Sequence, residues 1–194
     1  MKLTKTSIPD IILIKPRIHM DHRGYFVESF RQEQLDAEIG FEVKFCQDNE
    51  TKSKKGVLRG LHFQLPPFAQ SKLVRVIEGE VLDASVDIRK GSPTFGKCVL
   101  ERLSGENKHQ LFIPRGFAHG FVVLSEWAIF SYKVDNYYSA DFDTGLAFDD
   151  PSLGIDWILP LEDLQLSEKD KNLPTLKNLA DECSKFSYDI SLYE

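Results

Sequence analysis

The sequence predicts a mainly β protein, an antiparallel sandwich or barrel with a few short peripheral helices. Three observations lead there. Strand-like runs, IILIKPRI, KLVRVIEGEVLDASVDI, GKCVLERL, HQLFIP, HGFVVL and AIFSYKVDNYY, dominate the chain to about residue 160. Turn signals separate them, among them Glu78-Gly79-Glu80, Lys90-Gly91-Ser92-Pro93, Ser104-Gly105-Glu106-Asn107 and Pro114-Arg115-Gly116. Within the runs, polar and apolar residues alternate with period two, which is the mark of a sheet with two unlike faces.

The first departure along the chain is helical. Ser29 and Gln32 have capping-box spacing ahead of EQLDAEI, and Gly40 supplies the C-terminal stop. The run VLRGLHFQ (57–64) follows. Strict alternation puts Val57, Arg59, Leu61 and Phe63 on one face and Leu58, Gly60, His62 and Gln64 on the other. A bulge at Gly60 would reset that parity and turn Arg59 and His62 into one cavity. Taken alone, the octapeptide reads more simply as an edge strand, with Arg59 reaching to water and His62 a satisfied core histidine. In VLDASVDI the residues Leu82, Ala84, Val86 and Ile88 form an apolar face. Val81, Asp83, Ser85 and Asp87 form the other, which either lines a polar lumen or is simply wet. Ala128, Phe130, Tyr132 and Val134 share a face of AIFSYKV. A second helical stretch begins near Ser167 and continues with weak periodicity through LPTLKNLADE.

At 194 residues the chain is expected to fold as one domain around a core of its own. A net charge of −6 argues against nucleic acid or an anionic membrane as partner, while leaving room for a small anion held by a local basic cluster. Cys46, Cys98 and Cys183 are odd in number and lack a CxxC, so reduced thiols in the cytoplasm are expected. The first residues, MKLTKTSIPDIILIKP, hold too short an apolar run for a signal peptide or membrane span.

Two spacings narrow the fold. Gly56, five residues, His62, one residue and Gln64 resembles the first motif of the cupins, with Gln64 in place of a second histidine. Lys72, six residues and Gly79 keeps the motif's glutamate-to-glycine spacing, and PRGFAH (114–119) resembles its second motif. The resemblance implies a cupin-type jelly roll, a double-stranded β-helix. An amide and a cation at two of the four ligand positions disfavour a divalent metal, so no metal is expected. Lysine there suits an oxyanion or phosphate instead. His19 and His22 have nothing nearby to complete a metal site.

Longer blocks are similar to the dTDP-4-dehydrorhamnose 3,5-epimerase family: DHRGYFVESF, CQDNETKSKKGVLRGLHFQ, KLVRVIEGEVLDASVDIRKGSPTFG, LSGENKHQLFIPRGFAHGFVVLSE, FSYKVDNYYS, DDPSLGIDW and LSEKD. The resemblance implies cofactor-free inversion at C3 and C5 of a dTDP-linked 4-keto-6-deoxyhexose, on the way to dTDP-L-rhamnose and surface polysaccharide. It implies His62 as base, Tyr132 as acid, Lys72 as the cation at the C4 oxyanion and Asp170 as the carboxylate that orients His62. Ser167 and Asp170 also have helix-capping spacing. The implied substrate-binding residues are Arg23, Glu28, Gln47, Asp48, Asn49, Arg59, His119, Tyr138, Asp143 and Lys169, with Asp83 a candidate partner for His119. Arg23 and Glu28 are expected from the neighbouring subunit of a homodimer, through an exchanged N-terminal strand.

On this reading residues 1–194 form one jelly-roll domain. About 1–50 serve the dimer, about 51–157 form the barrel and about 158–194 a helical extension. Departures from the family pattern are Asp143 for a glutamate, Phe148 for a tryptophan, a longer 157–167 stretch and an unmatched tail beyond Leu176. A related mono-epimerase or 3,4-ketoisomerase of the same fold is the alternative. A non-catalytic sugar-binding jelly roll is the remote one, because it has no use for base, acid and oxyanion cation together.

Overall fold

The computed structural model describes residues 1–193. In chain order the elements are β1 (Lys2–Lys5), β2 (Ile12–Lys15), β3 (Ile18–Asp21), β4 (Gly24–Val27), α1 (Gln32–Ile39), β5 (Gln47–Lys54), β6 (Leu58–Gln64), β7 (Lys72–Glu78), β8 (Glu80–Asp87), β9 (Cys98–Ser104), β10 (Gln110–Ile113), β11 (Phe117–Val123), β12 (Trp127–Val134), β13 (Asp143–Gly145), α2 (Glu168–Lys171) and α3 (Ala180–Cys183). Strands in the order β1-β2-β10-β7-β12-β5 form one antiparallel sheet and β13-β6-β11-β8-β9 the other, while β3 and β4 make a separate hairpin. The two main sheets face each other as a jelly roll.

Alternation decides what fills each layer. Val74, Val76, Leu111, Ile113 and Phe130 from one sheet meet Val81, Val99, Leu103, Phe117 and Phe121 from the other. The face Leu82, Ala84, Val86 points outward and is roofed by the C-terminal region, including Leu146, Trp157, Leu179 and Phe186. Each fully buried side chain of this size contributes roughly 1.5–3 kcal/mol. Leu35 of α1 covers the outside of the first sheet with Ile12, Ile14, Leu73 and Phe112. The polar face of β8 is therefore not wet: Asp83, Ser85 and Asp87 are fully buried. Asp87 sits among Arg89, Ser92 and Thr94, while Asp83 and Ser85 belong to the lumen.

Three sequence expectations need correction. The capping box at Ser29 does not form, because α1 starts two residues later, with Arg31 extended at its N-cap and without a side-chain cap. The Ser29 carbonyl is instead held by Gln110 Nε2. Gly40 does close the helix in the left-handed region, φ 85°, its N–H donating to Asp36 O. The stretch after Ser167 is not one helix but α2, a 3-10 turn at Leu176–Leu179 and α3, because Pro174 cannot continue a helix. Finally, β6 is not an edge strand; it lies between β13 and β11.

Candidate active site

The site begins at Gly60. Between the pairs His119↔His62 and Phe121↔Arg59, β6 spends three residues where β11 spends two, so β6 carries a bulge. Gly60 has φ 125°, and a Cβ there would lie 2.6 Å from Gly120 Cα; only glycine fits. The extra residue brings Arg59 and His62 into the lining of one cavity of about 480 Å³. Lys72 from β7 and Tyr132 from β12 line it from the first sheet, and His119 lines it from the second. Lys169 and Asp170 of α2 close one side, after the bridge between Val57 and Gln165 brings that segment back to β6.

Two histidine–carboxylate pairs stand in the lining. His62 Nε2 lies 2.5 Å from Asp170 Oδ1, the imidazole 31% exposed and the carboxylate 5%. His119 Nε2 lies 2.8 Å from Asp83 Oδ2, both buried. Burial pushes Asp170 up, but hydrogen bonds from His62 and Ser167 prevail and hold its carboxyl below the usual range. Ser167 Oγ accepts the Asp170 backbone N–H at 3.1 Å. Cap and dyad therefore coexist, using different atoms of one residue.

Burial sets the protonation of the other groups. It pushes Lys72 down to about 8, against the pull of Asp143 and Asp83, and the Lys72 Nζ donates to His62 O at 3.2 Å. It raises the Tyr132 phenol despite Arg59, so the hydroxyl keeps its proton. It also lowers His119 more strongly than Asp83 raises it, favouring the neutral imidazole. Gln64 is spent on structure: its amide donates to Phe68 O and Tyr137 O and accepts the Ser139 N–H. Among the described residues no group of three His, Cys, Asp or Glu side chains is placed to hold a metal ion.

The remaining candidates are dispersed. Asn49 lies opposite Tyr132 and Gln47 opposite Val134 in the β5–β12 ladder, on the lumen side, and the Gln47 amide donates to Asn49 Oδ1. Asp48 faces the other way and pairs with Lys133 at 2.9 Å. Asp143 holds Lys169 and accepts from the exposed Tyr138 hydroxyl at 3.2 Å. Arg23 and Glu28 stay outside the cavity, paired with Asp21 and Arg31 on and beside the β3–β4 hairpin. Sequence reasoning missed Thr51, Phe121, Phe130 and Gln165 in the lining. Period two running on from Gln47 and Asn49 points to Thr51, whereas Gln165 carries no local signal.

The family model described as dTDP-4-dehydrorhamnose 3,5-epimerase matches residues 5–178. The chain is similar to the dTDP-4-dehydrorhamnose 3,5-epimerase of Shigella flexneri, with 54% identity over 89% of this chain and 94% of that one. Among solved structures it resembles the enzyme of that name from Elizabethkingia anophelis, with 50% identity, TM-score 0.88 and coverage of 92% and 97%. It also resembles the dTDP-6-deoxy-D-glucose-3,5-epimerase of Legionella pneumophila in complex with dTDP-4-keto-L-rhamnose, with 47% identity, TM-score 0.89 and coverage of 94% and 96%.

Proposed function

Since this chain belongs to the dTDP-4-dehydrorhamnose 3,5-epimerase family, we infer that it epimerises dTDP-4-dehydro-6-deoxy-D-glucose at C3 and C5, giving dTDP-4-dehydro-L-rhamnose. The carrying observation is that His62 and Tyr132, from opposite sheets, line one cavity with Lys72. The ketone at C4 acidifies the protons on C3 and C5. With its Nε2–H donated to Asp170, His62 keeps a basic Nδ1, which takes one of these protons. The C–H electron pair becomes a ring double bond to C4, and the carbonyl oxygen becomes an enolate beside the Lys72 ammonium. Tyr132 then protonates the carbon from the opposite face as the carbonyl re-forms. Solvent resets both groups before the second carbon reacts.

Each part has a physical reason. A positioned imidazole base is worth about 10² to 10⁴ in rate, and one oxyanion donor on the order of 10² to 10³. Asp170 stabilises the imidazolium that forms. Neutral His119, with Asp83 on one nitrogen, leaves the other for a sugar hydroxyl. Arg59 and Lys169 at the cavity suit the diphosphate, because the guanidinium fork and ammonium match phosphate oxygens. Exposed Tyr138 offers its ring to the base, and Gln47, Asn49 and Asp143 complete the nucleotide side, while Asp48 is held on the opposite face by Lys133. The chemistry requires neither metal nor organic cofactor.

The same reading makes the enzyme a cytoplasmic homodimer in which Arg23 and Glu28 reach the partner's cavity. Support comes from the hairpin that carries Arg23, which leaves Met20 and Phe26 74% and 69% exposed in a single chain. Residues to about 50 then serve the dimer while lending β1, β2 and the start of β5 to the first sheet, those from about 51 to 157 form the rest of the barrel, and the extension from about 158 covers it. No described helix is long and apolar enough to cross a membrane.

The test is to incubate the protein with the 4-keto-6-deoxyglucose nucleotide in deuterated water and follow the sugar by NMR. Label at both C3 and C5 with inversion is expected. Label at one carbon would make it a mono-epimerase, and a ketone moved to C3 a ketoisomerase; either result overturns double epimerisation.

A further inference from the structure

The matched family region ends at residue 178, and the chain after α3 packs back onto both sheets. We propose that Tyr193 in this segment is a positioning residue for the reaction, its hydroxyl joining the ends of the three strands that carry Lys72, His119 and Tyr132. The inference rests on the epimerase reading above.

The segment is well anchored. Phe186 is fully buried, its ring 5.8 Å from that of Phe63 and edge-on to it. The Lys90 N–H donates to Phe186 O at 2.7 Å and the Tyr188 N–H to Lys90 O at 3.0 Å. The chain then skirts a second cavity of about 290 Å³ beside α1. There the Tyr193 ring packs 4.3 Å from that of Phe41, and the Arg115 guanidinium lies 5.1 Å from its centroid.

The hydroxyl accepts the Arg115 N–H at 3.1 Å and lies in hydrogen-bond contact, 2.8 Å, with Ser71 Oγ. Ser71 is fully buried and immediately precedes Lys72, the first residue of β7. Its N–H donates to Asp135 Oδ1 at 2.6 Å. Asp135 immediately follows β12, three residues past Tyr132, and its second oxygen accepts Arg115 Nε at 3.1 Å. Arg115 also donates to Leu192 O at 2.7 Å and sits in the turn leading to β11, four residues before His119. One phenol thus closes the ring Tyr193, Ser71, Asp135, Arg115. None of the four lines the reaction cavity, so Tyr193 acts through the strand ends it ties together.

Lys72 is the natural reporter. Its titration depends on depth in a cavity where Asp143, Asp83, Lys169, Arg59, Tyr132, Asp170, His62 and His119 are the neighbouring ionisable groups. A looser start to β7 admits water to the ammonium and changes its alignment with the C4 oxygen.

Tyr193→Phe removes only the hydroxyl. The tests are the Lys72 titration, read from its ¹³Cε resonance and assigned by its loss in Lys72→Met, together with kcat and KM for the dTDP-sugar. The Lys72 midpoint is expected to move upward by about half a pH unit or more, with kcat about 3- to 10-fold lower and KM within about twofold. Ser71→Ala breaks the same bond from the other side and should reproduce the shift if Tyr193→Phe does not fold. Tyr188→Phe, whose ring lies 5.0 Å from the Arg89 guanidinium, should change neither reading. An unmoved Lys72 midpoint overturns the proposal. So does an equal effect in Tyr188→Phe, or a kcat loss matched by a rise in KM with Lys72 unaltered. Because the titration needs no turnover, failure here is distinct from failure of the chain to epimerise.

Discussion

His62 Nε2 and Asp170 Oδ1, 108 positions apart in sequence, meet at 2.5 Å while the Asp170 N–H caps α2 through Ser167 Oγ. Asp170→Asn therefore keeps the cap and removes only the charge behind the base. The expected result is a kcat lower by about 10² to 10⁴ with dTDP affinity nearly unchanged and Tm lower at neutral pH; His62→Asn should abolish deuterium exchange at both carbons. The pair also adds stability whose sign follows from the lowered Asp170 carboxyl. It is present above the ordinary carboxylate range and lost as pH falls through the folded-state value. Calorimetry should find the Asp170→Asn and native Tm values converging at acid pH.

Lys72 behaves oppositely to a paired lysine. Burial lowers it to about 8, below the unfolded value near 10.4, so the folded state binds fewer protons between those limits. Stability of the free protein should rise across that window, while kcat/KM falls above about pH 8 as the cation is lost. Lys72→Met should lower kcat by about 10² to 10³. It should also stabilise the free protein by about 1–2 kcal/mol, a figure kept small because the cavity leaves the ammonium partly wet. A less stable Lys72→Met by denaturant melt would show the lysine to be structural.

Tyr132 keeps its proton through burial, which suits an acid. Tyr132→Phe should let His62 continue to exchange substrate protons with solvent while inverted product falls by about 10² or more. NMR in deuterated water separates the two, and equal loss of both would remove Tyr132 from the acid role.

Arg23 lies outside the cavity of its own chain. If it serves the partner's site, Arg23→Ala and His62→Asn should each be inactive as pure preparations, yet regain activity when mixed and allowed to exchange subunits. In the mixed dimer one cavity has both an intact His62 and the partner's intact Arg23. No recovery on mixing would place Arg23 outside the site.

Much of the barrel was legible because period-two alternation acts residue by residue. Phe130 and Tyr132 share the lumen face as AIFSYKV indicates, and Asp83 and Ser85 share the other face of β8 from Leu82 and Ala84. What alternation left open was which face looks inward, and the answer was the less obvious one. The apolar face of β8 is roofed by residues 146–186, and the polar face lines the lumen. The Ser29 capping box was misleading because the Ser29 carbonyl is taken by Gln110, a partner 81 positions away.

The residue types of the site, their order and a glycine able to carry a bulge were determined by the sequence, through local rules and motif spacing. Tertiary structure alone decided that His62 and Asp170 touch, that burial lowers Lys72 to about 8 and that Asp48 faces away from the lumen. It also decided that Ser71, Arg115, Asp135 and Tyr193 close a ring. The reason is that burial and hydrogen bonding across long sequence separations depend on which surfaces the packed sheets bring together. Neither periodicity nor spacing along the chain encodes those distances.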